Sequence, residues 1–418
     1  MRSFYYLLLI ILFSFPLLMR ESFAAEQKKE VVKFLSLSDI HFDPFIACYQ
    51  TKQLPCPLIM RLQTAPVSQW HSILAAYDQV LPQYRQDSNS VLLFSTLSAA
   101  QKISHDEAIQ FVLVLGDMLG HSYRHYYKKY SLDPSRAHYR AFVKKTIAFL
   151  TSEFARTFPL LDVYMAVGNN DSYQKDYMAD PQGLFFKETG QSWSSLIRDQ
   201  KNRENMQRVF QQGGYYAIDP FENLRLIVLN TVLFSSKAKG NKIAKAAVQE
   251  LDWLHGELVS AKNRHQKVML AMHIPAGMDI YATLQFRLFR LIEFWDAFYT
   301  KRFEEELKTF SPEIVGIFAG HLHADWFQIL TLSNKNRIPM TGTPAISPLF
   351  GNNPGFKIYT YSKNSQKLSD FTTYSYSISG ERRFREEYDF NGMAYRSTHY
   401  TCENKKDDRS KIGSLCHL

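Results

Sequence analysis

The chain predicts a layered α/β domain, and three observations carry that expectation. Short apolar runs recur along the sequence, and each delivers the chain to a residue able to bind a metal. Helix-patterned segments separate these runs, and beyond residue 325 the texture changes to closely spaced strand-like runs punctuated by Gly, Pro, Asn and Ser. Short continuous apolar runs suit strands buried on both faces, and strands alternating with helices suit a sheet covered by helical layers.

The runs follow one grammar. Residues 32–37 read VKFLSL before Ser38-Asp39-Ile40-His41, and residues 111–115 read FVLVL before Gly116-Asp117. Residues 162–167 read DVYMAV before Gly168-Asn169-Asn170-Asp171. Residues 268–272 read VMLAM before His273, and residues 314–319 read IVGIFA before Gly320-His321-Leu322-His323. The metal-binding residue types therefore gather along one edge of a sheet.

Helical periodicity marks the intervening segments. Residues 136–157 carry Phe142, Ile147, Leu150 and Phe154 at helical spacing, and residues 243–261 carry Ala247, Leu251, Leu254 and Leu258. Residues 283–308 read as a further helix; its aromatic residues Phe286, Phe289 and Phe294 suit core packing better than a lipid-binding surface. After the last His pair, residues 325–332, 338–342, 355–361 and 368–377 read as successive strands of a largely antiparallel second sheet.

The termini and cysteines bear on location. Arg2, the apolar stretch 4–18 and Ser22-Phe23-Ala24 form a signal-peptide pattern over residues 1–24. A catalytic domain over 25–379 and a small extension over 380–418 complete the expected organisation. The four cysteines suggest two bridges in an oxidising compartment. Of the three possible connectivities, the local one joining Cys48 to Cys56 and Cys402 to Cys416 is favoured. An exported protein in a bacterial periplasmic or secreted setting follows. The formal charge of +9 favours anionic substrates or surfaces, but it is not concentrated in one block, so no stable nucleic-acid partner is indicated. Membrane contact, if made, is peripheral, and the sequence leaves the oligomeric state open.

The chemistry of the strand-end residues is that of a paired metal site. Asp39 and His41 alternate with Ile40, so an extended backbone directs both to one side. Asp117 can offer its two oxygens to two ions, holding them about 3.5–4 Å apart, the spacing that grips a phosphate and an attacking hydroxide together. Asn169 offers an amide oxygen, and His273, His321 and His323 offer imidazole nitrogens. This donor set suits two divalent ions, zinc favoured, with manganese or iron as alternatives. A lone D-x-H or H-x-H is common by chance; the ordered recurrence is what carries weight.

Taken together, D-x-H, G-D, G-N-N-D, a lone His and G-H-x-H resemble the signature of the calcineurin-like metallophosphoesterases. SDIHFDP at 38–44, GDMLGH at 116–121, HIPAG at 273–277 and GHLHAD at 320–325 are most similar to the acid sphingomyelinase-like phosphodiesterases and the related endopolyphosphatases. The resemblance implies a four-layer α-β-β-α sandwich of two mixed sheets. It also implies one ion held by Asp39, His41, Asp117 and His323, and another by Asp117, Asn169, His273 and His321. Family members usually carry His where Asn170 stands. That departure moves the expected general acid to His121, with a metal-bridging hydroxide as nucleophile and the Asn170 amide near the phosphate. A phosphodiester of small-molecule or lipid type is the expected substrate. A phosphoanhydride such as polyphosphate or a nucleotide is the alternative, and a non-catalytic metal-binding protein retaining the fold is a third reading.

Overall fold

The computed structural model describes residues 31–49, 51–78, 80–285 and 291–392. Within them two six-stranded sheets stack face to face. The first contains β1 (Val31–Leu37), β2 (Phe111–Val114), β3 (Asp162–Met165), β10 (Gly355–Ser362), β11 (Lys367–Tyr376) and β12 (Phe384–Asp389), in the order β12-β11-β10-β1-β2-β3. The second contains β4 (Tyr216–Phe221), β5 (Leu224–Val228), β6 (Lys267–Ala271), β7 (Ile314–Ala319), β8 (Trp326–Thr331) and β9 (Arg337–Gly342), in the order β4-β5-β6-β7-β9-β8. Both sheets are mixed. β1 to β3 are parallel while β10 to β12 run antiparallel, and β5, β6, β7 and β9 are parallel while β4 and β8 are antiparallel edges.

The two-residue period of a strand assigns side chains to layers. In the second sheet Leu226 and Val228 join the core between the sheets, whereas Ile227 joins a separate core beneath the outer helices. Phe34 on β1 meets Phe318 on β7 edge-to-face at 5.2 Å, and Phe318 meets Tyr359 on β10 at 4.9 Å, so aromatic rings fill the space between the sheets. Helices Asn241–Asn263 and Ala297–Phe310 bury Leu251, Leu254, Phe303 and Leu307 against the outer face of the second sheet. Helix Arg136–Thr157, capped by Ser135, lies in the opposite helical layer and packs Phe142 and Phe149 against Trp70. The result is the α-β-β-α sandwich expected from the sequence.

Two expectations change. The late strands do not form one second sheet: β8 and β9 extend the sheet of β7, while β10 to β12 extend that of β1. Each group is a local hairpin or meander, and hairpin patterning carries no information about which parent strand it will join. The segment 283–308 is not one helix either. Helix Ile280–Gln285 is separate from Ala297–Phe310, whose start is set by Asp296 accepting a hydrogen bond from the Phe298 N–H. Phe286 and Phe289 lie outside the described residues, as do the segment 1–24 and Cys402 and Cys416. Cys48 and Cys56 form a disulfide, and β12 pairs with β11 from within the segment 380–418. Among the described residues no helix is long and apolar enough to cross a membrane.

Candidate metal centre

Parallel strands end on one edge of each sheet, and the loops beyond them turn sharply inward. Asp39, His41, Asp117, His321 and His323 all adopt positive φ, between 44° and 70°. Non-glycine residues populate that region rarely, and clusters of such strain mark functional sites. The turns also require close backbone approach. A Cβ on Gly168 would collide with Asp117, and one on Gly320 would collide with Ser38, so the glycines before Asn169 and His321 are demanded by packing.

All seven strand-end residues converge. Asp39, His41 and Asp117 place one donor atom each within 4.8 Å of one another, and Asp117, His273 and His321 do the same, so the two groups share Asp117. The Asp117 Oδ2 atom stands 3.4 Å from His41 Nε2 and 3.2 Å from His273 Nε2. His323 Nε2 lies 3.1 Å from His41 Nε2, and the Asn169 amide oxygen lies 3.0 Å from His273 Nε2. The Asn169 amide nitrogen donates to Asp176 at 2.7 Å, which fixes the oxygen toward the centre.

These residues fit a cation. Asp39 is fully buried and its Oδ2 accepts from the Ser38 hydroxyl and the His321 N–H, but its Oδ1 has no hydrogen-bond partner. That oxygen faces imidazole nitrogens of His323, His41 and His273 at 3.4, 3.7 and 4.0 Å. A buried carboxylate oxygen without a partner is costly, and donors at this mutual spacing suit an ion about 2 Å from each. Backbone carbonyls orient two of the imidazoles for metal binding. The Nδ1 atoms of His41 and His273 lie 3.0 and 2.7 Å from the carbonyls of Leu119 and Leu115. An Nδ1–H donating there leaves Nε2 as the inward lone pair.

Electrostatics supports the same reading. Burial disfavours charge on His41 and His273, yet the Asp117 carboxylate outweighs it and raises them to about 10 and about 9. Burial, reinforced for His321 by the neighbouring His273, lowers His321 to about 3; burial lowers His323 to about 4 despite Asp39. The metal-free centre therefore balances its carboxylates with protons, and a cation must displace them. Metal affinity should rise with pH up to about 9–10. Titration calorimetry in buffers of different ionisation enthalpy should record proton release; pH-independent affinity would exclude this exchange. In the metal-free protein the same two groups stabilise the fold fully below 6.5 and lose that contribution as pH rises through about 9–10.

Around the centre stand residues of two kinds. His121 stacks on His41 with ring centroids 3.9 Å apart, and with His41 and His323 it forms another cluster of possible donors. Its Nδ1 lies 3.1 Å from Asp87 Oδ1, and its backbone N–H donates to Asp87 Oδ2 at 2.7 Å. Asn170 donates its backbone N–H and its amide to the two oxygens of Asp117, at 2.7 and 2.9 Å. Asp171 accepts from the N–H groups of Gly168, Met118 and Leu119, and burial followed by Asp117 raises it to about 7; it orders the turn around Asp117. Sequence reasoning missed Asp87, Asp176, Tyr177 and Phe350. Phe350, though 65% exposed, sets its ring edge-to-face with those of His121 and His323.

A two-sheet sandwich that gathers carboxylates and imidazoles at its strand ends, around a shared aspartate, is the build of a metal-dependent phosphoesterase. The chain belongs to the calcineurin-like phosphoesterase family, whose model matches residues 32–325. Its curated relatives include sphingomyelinase phosphodiesterase D of Dictyostelium discoideum, 26% identical over 319 residues, covering 74% of this chain and 66% of that protein. The cyclic GMP-AMP phosphodiesterase SMPDL3A of Bos taurus is 26% identical over 257 residues, covering 58% of this chain and 54% of that one. The chain thus spans about two thirds or less of these relatives' lengths. Among solved structures, a dimetal phosphatase from Danio rerio aligns with a TM-score of 0.45 and 12% identity, covering 85% of this chain and 98% of that one.

Proposed function

We propose that the protein is an exported two-metal phosphoric ester hydrolase acting on phosphodiesters, of the acid sphingomyelinase-like kind. The observation that carries this reading is the pair of donor groups sharing Asp117, beside the unpartnered buried oxygen of Asp39. Asp39, His41, Asp117 and His323 would hold one ion and Asp117, Asn169, His273 and His321 the other, with zinc favoured by the number of imidazole donors. When bound, such ions polarise the phosphate and lower the pKa of water into the neutral range. The disulfide between Cys48 and Cys56 fits the oxidising compartment expected of an exported chain.

The chain's own groups complete the chemistry. Asn170 braces both oxygens of Asp117, keeping the shared carboxylate in one orientation. His121 protonates the departing oxygen. With Nδ1–H held by Asp87, its Nε2 is the atom available to the substrate, and Asp87 acts as a positioning residue, itself braced by the Ser347 hydroxyl at 2.9 Å.

The test is a leaving-group series with metal restored to stripped protein. His121→Ala should lower turnover by about 10²–10⁴-fold for alkyl esters, whose leaving groups need a proton, and far less for p-nitrophenyl esters. Asp87→Asn should follow the same slope at smaller amplitude. Equal loss across the series would remove His121 from the acid role, and no hydrolysis of any diester by the metal-loaded parent would remove the proposed activity.

A further inference from the structure

Among the described residues, four strands stand at sheet edges, and three of them are guarded. β12 carries Arg385, Glu386 and Glu387, and β4 carries Asp219 and Pro220. β3 is covered, since its Val163 N–H donates to the Leu196 carbonyl. Charge, proline and cover are the devices that keep a free edge from pairing with another strand. β8 is built differently. It reads Trp326-Phe327-Gln328-Ile329-Leu330-Thr331, without charge or proline, and Phe327 and Ile329 are 42% and 43% exposed.

Register fixes which of its groups face outward. The Leu332 N–H donates to the Asn336 carbonyl where the hairpin closes, and bonded pairs then recur at alternate residues, Leu330 with Ile338 and Gln328 with Met340. Phe327, Ile329 and Thr331 therefore point their N–H and C=O groups away from β9. Pro339, which has no N–H to give, sits opposite Ile329, in keeping with that pattern. Beside the edge, Phe303, Glu304, Leu307 and Lys308 of helix Ala297–Phe310 line a groove with Ile329 and Leu330. The Lys308 carbonyl accepts from the Asn334 amide at the hairpin tip. Lys308 thus lies toward the end of β8, and Glu304 lies one helical turn nearer its start.

We propose that β8 is a self-association edge, at which a second copy of this chain pairs antiparallel about a two-fold axis through Ile329. Setting Ile329 opposite Ile329 places Phe327 opposite Thr331, and every outward main-chain group of these three residues then finds a partner. The uncharged strand brings no repulsion to the axis. An antiparallel mate also reverses the groove, so that Glu304 of one copy approaches Lys308 of the partner subunit, and the reverse. A parallel mate would set like charges side by side, so charge selects the antiparallel arrangement.

Sedimentation equilibrium of the full chain over about 1–100 μM should reach the mass of two chains at the upper end, as suits an interface at the small end of the range for specific pairs. Ile329→Lys sets two ammonium groups against each other on the axis and should weaken association more than about tenfold. Its unfolding midpoint at low concentration should match the parent, because the side chain is exposed. Ile329→Pro is the second variant: it deletes an outward N–H and no bond to β9, so it should dissociate the pair with the fold kept. Glu304→Lys should weaken association about fivefold, and adding Lys308→Glu should restore it. A single-chain mass at every concentration, or a two-chain mass that survives both Ile329 variants, would overturn the proposal. A single-chain mass with the Phe327, Ile329 and Thr331 amides protected from hydrogen exchange would overturn it in favour of residues 393–418 of the same chain as the occupant of that edge.

Discussion

Asp117→Ala should lower the metal content from two ions per chain to less than one and cut phosphoesterase turnover by more than about a thousandfold. The expectation follows from where this one carboxylate stands. It belongs to both donor groups, faces His41 and His273 at 3.4 and 3.2 Å, and receives both the N–H and the amide of Asn170. Removing it takes a ligand from both ions at once, and the Lewis-acid contribution lost is several kcal/mol, which corresponds to about three orders of magnitude in rate. The substitution also takes away the charge that holds His41 and His273 protonated in the metal-free state, so their titration should move back toward 6.5 and below. Metal analysis of the purified variant, alongside proton resonances of those two imidazoles, checks both statements. Retention of two ions per chain would refute the shared-ligand assignment. Asn169→Ala supplies the contrast: it leaves Asp117 in place and should weaken the group containing His273 while sparing the group containing His323.

Why this centre was legible from sequence, and its surroundings were not, has a physical basis. Each candidate ligand lies within a few residues of the end of a buried strand, so its position is set by the residues shortly before it: VKFLSL leads to Asp39 and FVLVL leads to Asp117. Local pattern therefore predicts tertiary position for these residues. Asp87 has no such anchor. It lies in the turn before helix Ser90–Asp106 and meets His121 through a contact 34 residues away in sequence. Tyr177 likewise meets His321 only through a contact 144 residues away in sequence. The late strands show the same divide. Their boundaries are readable, because alternation and turn residues are local, but β9 joins β7 and β10 joins β1 through long-range pairing that no single run encodes.

Asp325→Ala should destabilise the fold by about 3–5 kcal/mol, the loss expected when one partner of a buried ion pair is removed and the other stays behind. Lys357 on β10 is completely buried, and its ammonium lies 2.5 Å from Asp325, two residues beyond His323. Thr341 on β9 accepts a hydrogen bond from it at 3.2 Å, and the Phe371 ring lies 4.1 Å away. The other oxygen of Asp325 accepts from Thr373 on β11 and Tyr388 on β12. One carboxylate thus joins the loop carrying His321 and His323 to three strands of the opposite sheet. Burial already lowers the Lys357 pKa against the pull of Asp325. Without that partner the amine must bind fewer protons folded than unfolded, so the variant's stability should recover as pH rises toward the ordinary lysine value of 10.5. Denaturant unfolding at several pH values measures this. The paired substitution Asp325→Ala with Lys357→Met removes the stranded charge and should regain most of the stability. It would not regain the anchor of the His323 loop, so metal affinity should remain weakened in the double variant although the fold is restored. If stability and metal affinity recover together, the ion pair holds the sheets alone and the His323 loop is placed by other contacts.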